Sequence, residues 1–86
     1  MIYLTNDTLD QAVYFDLVRE EPRKRGRGEQ RLYGVLGNGV SEVPVTVRRR
    51  HDLVEMIFGR GEIFRFVEEE TIRRMLGAAV REMALQ

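Results

Sequence analysis

The stretch EVPVTVRR, residues 42–49, does most to limit what this chain can fold into. Val43, Val45 and Val47 point one way and Pro44, Thr46 and Arg48 the other. Successive side chains of an extended backbone project from opposite faces, so the alternation reads as a half-buried strand. Just upstream, RLYGVLGNGV carries Gly37-Asn38-Gly39. Asn-Gly accepts the positive φ angles of a tight hairpin, so residues 31–36 and 40–48 are expected to pair antiparallel. Pro44 donates no ladder hydrogen bond, which predicts an edge position for this strand.

Residues 12–20, AVYFDLVRE, fit two patterns. Leu9, Val13 and Leu17 suit a helix, with Thr8 and Gln11 at capping-box spacing. Val13, Phe15 and Leu17 also alternate with Tyr14, Asp16 and Val18 and are rich in branched and aromatic side chains, which favours a strand and a three-stranded meander. Residues 52–58 leave the same choice open. Asp52 caps a short helix bearing Leu53, Met56 and Ile57, or the segment is a strand closed by a Gly59-Arg60-Gly61 hairpin loop. Residues 62–67 predict a strand with Phe64 and Phe66 on one face, and residues 2–4 a short edge strand.

The carboxy-terminal stretch is a helix by its spacing. Ile72, Met75, Leu76, Ala79, Val80 and Met83 share one face. Glu68, Glu69 and Glu70 crowd its start, where the helix dipole favours anions, and Glu69–Arg73 and Glu70–Arg74 fall four apart. Such a helix gains too little alone and must dock. The expected architecture is one small α+β domain over residues 1–86. It is an antiparallel sheet, a three-stranded meander plus one or two further strands, packed by a C-terminal amphipathic helix.

At 86 residues, such a domain hides roughly 60–65% of its unfolded surface, so its core is thin. Cysteine is absent, which excludes disulfides and thiolate metal sites. No apolar run approaches the ~20 residues that span a bilayer. The stretch MIYLTNDTLD is acidic and lacks the basic flank of a secretory signal, so a cytoplasmic location is expected.

Chemistry is poorly supplied. The single serine, Ser41, and the single histidine, His51, fall at opposite ends of the valine strand, out of reach of each other. His51, Asp52 and Glu55 make an incomplete metal set, and Glu68–Glu70 reads as a helix start. Neither GxxxxGK[ST] nor a strand-to-helix GxGxxG is present. No enzyme activity, cofactor or metal is expected.

What remains is charge. The chain is neutral overall, yet PRKRGRGEQR, residues 22–31, holds five basic side chains against one acid. Arg23, Lys24, Arg25, Arg27 and Arg31 form one cluster, and Arg48, Arg49 and Arg50 close the valine strand. A meander brings the two clusters to one end of the sheet. Glu20, Glu21 and Glu29 neutralise part of this charge, and a solvated turn accounts for the rest equally well. In the functional reading these eight side chains grip something anionic, because arginine forks suit carboxylates and phosphates alike. The leading expectation is a small non-enzymatic binding protein, an adaptor or inhibitor docking on a larger protein through this loop and an exposed apolar strand or helix edge. The alternative is a nucleic-acid-binding protein or accessory subunit, with Tyr33 beside the loop. A homodimer is compatible with either, given the thin domain, Pro44 and the close-packing Gly77-Ala78-Ala79.

Overall fold

The computed structural model describes residues 1–4, 12–21, 28–50 and 53–83. Five strands follow in chain order: β1 (Ile2–Leu4), β2 (Val13–Glu21), β3 (Glu29–Gly37), β4 (Glu42–Arg50) and β5 (Leu53–Phe58). They lie side by side in that order, each antiparallel to the next. A 3₁₀ turn, Glu62–Arg65, then leads to helix α1, Glu69–Glu82. The expected α+β layer fold is therefore present, with the β2–β3–β4 meander flanked by β1 and β5. The segments holding Thr8, Gln11, His51 and Asp52 lie outside the described residues.

One face of the sheet is apolar and covered. Val13, Phe15, Leu32, Leu36, Val43, Val45 and Val47 are buried there beneath Ile72, Leu76 and Val80 of α1, with Ile63 and Val67 completing the same core. Burying each such side chain contributes about 1.5–3 kcal/mol. Glu69 and Glu70 occupy the first turn of α1 and Arg81 the last, matching the helix dipole. Of the two acid–base pairs expected on the helix, Glu69–Arg73 closes at 3.4 Å, whereas Glu70 and Arg74 make no ion pair.

The ambiguous segments resolve as strands, since residues 12–20 become β2 and residues 52–58 contribute β5. Two expectations are overturned. Residues 62–67 are not a strand. Ile63 and Val67, four apart, are both buried, and the Phe66 and Val67 N–H groups donate to the Ile63 carbonyl at 3.1 and 3.2 Å. Phe66 is 65% exposed, and Phe64 instead meets Phe58 edge-on at 5.3 Å. The chain must leave the sheet here to carry α1 back across it, and a turn buries the right pair. Gly59 and Gly61 accordingly lead off the sheet rather than close a hairpin.

Nor is β4 an edge strand, because β5 pairs with it from Val45 to Arg50. Pro44 is tolerated because that ladder ends at Val45↔Phe58. The Pro44 carbonyl accepts from Gly59 N–H at 2.8 Å. In an extended residue the nitrogen lies on the same side as the carbonyl, so the missing donor faces the end of β5 and not the β3 ladder. The β3–β4 turn spans residues 38–41. Asn38 Oδ1 accepts from Val40 and Ser41 N–H at 3.0 and 2.8 Å, and Gly39 supplies φ +91°.

Gly34 lets β2 and β3 approach beneath the Phe15 ring. A Cβ there would lie 2.5 Å from the Asp16 carbonyl oxygen and 2.6 Å from Phe15 Cε1. The Gly34→Ala variant is expected to lose about 1–3 kcal/mol in urea unfolding, as overpacked sites do; wild-type stability would contradict this packing.

Candidate functional site

The sheet register decides which charges share an end of the molecule. Glu21 pairs with Arg31, Arg31 with Arg48, Gln30 with Arg49, and Glu29 with Arg50. Glu21 and Gly28, which flank residues 22–27, therefore stand at the same end of the sheet as Arg48–Arg50. Gly28 takes φ +67°. Arg23, Lys24, Arg25 and Arg27 themselves lie outside the described residues.

Alternation along β4 sorts its three arginines. Arg48 and Arg50 project from the uncovered face, and Arg49 projects towards α1 with the valines. Arg49 is a fastener. Its Nη1 donates to the Val80 and Met83 carbonyls, each at 3.2 Å, and its Nη2 to the Arg81 carbonyl at 3.5 Å. These carbonyls crowd the helix's C-terminal end, where a cation is favoured, and that of Val80 also accepts from Met83 N–H at 3.1 Å. On the open face Arg48 donates to Glu55 at 2.5 Å and stands 4.0 Å from Glu29, which also lies 3.8 Å from Arg31. The Tyr33 hydroxyl, then Glu29, hold the Arg31 guanidinium above its ordinary, already high, pKa. Arg50 is exposed and has no ion-pair partner among the described residues. Beside it lies a shallow depression of about 160 Å³ lined by Glu29, Arg48, Arg50, Leu53 and Glu55.

Of the eight basic residues read from the sequence, Arg31, Arg48, Arg49 and Arg50 thus share one sheet end, though Arg49 serves the helix. Sequence reasoning missed Arg19. A β-bulge between Leu17 and Arg19 leaves Val18 70% exposed and sets Arg19 across from Tyr33. Its guanidinium stacks 4.4 Å from the Tyr33 ring centroid and pairs with Glu21 at 3.4 Å. Nothing in strand alternation announces a bulge, so this neighbour of the basic cluster was not legible. Exposed ion pairs of this kind are each worth only about 0–1 kcal/mol, so they exchange partners readily.

Elsewhere the chemistry is sparse. Ser41 precedes β4 and stands about 30 Å from Arg50 at the strand's far end, at ~3.3 Å per residue. Among the described residues no cluster of three or more acidic, histidine or cysteine side chains is placed to hold a metal. Tyr14 reaches across Gly37 to Glu42. Partial burial, then the Glu42 carboxylate that accepts its hydroxyl at 3.2 Å, push its pKa above the ordinary value. Scans against protein-family models, curated proteins and solved structures find no match to this chain.

The two faces of β4 should respond differently. Arg49→Ala is expected to lower stability by about 1–3 kcal/mol in urea unfolding, because partly buried carbonyls lose a charged donor. Arg50→Ala should change it by less than about 0.5 kcal/mol. Equal effects would refute the division of labour.

Proposed function

We propose that this chain is a small non-enzymatic binding protein, an adaptor or inhibitor, that docks on a larger protein. The basic end of the sheet orients the encounter, and an exposed apolar strand edge supplies contact area. The observation that carries this reading is the β3–β4 register, Glu29↔Arg50 and Arg31↔Arg48, at the end where residues 22–27 depart from Glu21 and return to Gly28. The sequence holds Arg23, Lys24, Arg25 and Arg27 between these two residues.

A protein partner is favoured over nucleic acid by what lies between the arginines. Glu21, Glu29 and Glu55 are interleaved with Arg19, Arg31 and Arg48 on the open face. A phosphate backbone would meet these carboxylates at close range, whereas a protein surface of mixed sign can match them. The tyrosines offer no free row for bases either. Tyr3 and Tyr14 contact each other edge-on at 6.4 Å, and Tyr33 lies under Arg19. Among the described residues no helix is long and apolar enough to cross a membrane.

Pull-down from the native host tests the reading. The wild-type chain is expected to retain a protein partner after nuclease treatment, and the variant R23A/K24A/R25A/R27A/R50A to lose it. Loss of the partner on nuclease treatment would transfer the reading to nucleic acid. Retention by the variant would remove the basic end from the interface.

A further inference from the structure

The outer edge of β5 and the flank of α1 enclose a groove of about 620 Å³. Its floor includes Val54, Met56 and Gly77, and its helical wall carries Arg73, Arg74 and Arg81. Gly77 keeps it open, since a Cβ there would come within 3.3 Å of Met56 Cε. The backbone along this edge follows from the register. Gly59 N–H bonds the Pro44 carbonyl, so the alternating ladder turns the amides of Ile57, Glu55 and Leu53 towards β4. Val54, Met56 and Phe58 therefore direct their N–H and C=O groups outwards. Arg73 confirms this by donating from Nη1 to the Met56 carbonyl at 3.0 Å across the groove. Among the described residues Val54 has no partner on its outward side.

The charges select the occupant. Glu55 is engaged by Arg48, and Arg73 by Glu69 at 3.4 Å. Arg74 and Arg81, two turns apart on one helix flank, have side chains without an ion-pair partner among the described residues, opposed only by Glu70. An unpaired strand edge beneath a row of guanidinium groups matches an extended chain whose outward side chains are carboxylates. We propose that this groove receives an extended acidic segment of the partner protein, added to β5 as a sixth strand. The segment's N–H takes over the Met56 carbonyl, and the released Arg73 joins Arg74 and Arg81 on its carboxylates. The proposal rests on the binding-protein reading and names the chemistry of the partner.

The probe is a capped octapeptide alternating Val and Glu, with its Val–Lys counterpart as control, titrated into the isotope-labelled full chain. The expected result is at least tenfold slower hydrogen exchange at the Val54 amide in the saturated complex. The variant R74E/R81E is expected to weaken binding by about tenfold or more. Val54→Pro should abolish binding while leaving exchange in the core strands unchanged, because the lost donor serves no internal bond. Unchanged exchange at Val54, equal affinity for the Val–Lys peptide, or undiminished binding by R74E/R81E would each overturn the proposal. So would concentration-dependent self-association that protects Val54 without peptide, which would assign the edge to a second copy of the chain. Peptide failure with host-partner capture intact removes the groove alone. Undiminished capture by R23A/K24A/R25A/R27A/R50A with Val54 protection intact removes only the docking role of the basic end.

Discussion

A sheet covered on one side depends on whatever covers it, and here that is a single 14-residue helix. Neither layer is stable alone. A helix of this length is marginal in water, and the sheet's buried face would be a continuous apolar surface. Ile72, Leu76 and Val80 meet that face in one cluster with Phe15, Val43, Val45 and Val47. At the helix's far end the contact becomes polar, where the Arg49 fork donates to the Val80 and Met83 carbonyls. Strand β4 therefore does two things through its two faces. Its inner side chains hold the helix, and its outer side chains, Arg48 and Arg50, face solvent at the end where the basic segment leaves the sheet.

That coupling explains why the layer fold was legible. Period-two burial at Val43, Val45 and Val47 and helical spacing from Ile72 to Met83 are each long enough to be unambiguous. Where the signals were short, tertiary demands decided. Phe64 and Phe66 suggested a strand because they alternate, yet the pair that needed burial was Ile63 and Val67. Pro44 suggested an edge because it lacks a donor, but a strand can be central along most of its length and uncovered at one residue. The bulge beside Leu17 was invisible for a similar reason, since an inserted residue breaks the pattern by which strands are recognised.

The candidate site was legible only as a collection of charges. The alternation predicted which β4 residues share a face, but not that Arg49 would be spent on helix carbonyls or that Glu55 would engage Arg48. β5 supplies Glu55, and its conformation was open from sequence. Once it pairs with β4, two things follow together. The open-face arginines acquire carboxylate neighbours, and the sheet gains a long outer edge beside Arg73, Arg74 and Arg81. The basic end and the groove thus arise from the same pairing.

All of this hangs on the β3–β4 register, and the absence of cysteine from the chain allows a clean measurement of it. Glu29 and Arg50 face each other across a pair that exchanges no ladder bonds, where Cα atoms lie about 4.5 Å apart and a disulfide can form. In E29C/R50C, mild oxidation is predicted to give rapid, near-complete intramolecular cross-linking, with little in E29C/R49C, whose second side chain points to the opposite face. Preferential cross-linking of E29C/R49C would shift the strand by one residue, invert both faces of β4, and contradict the account.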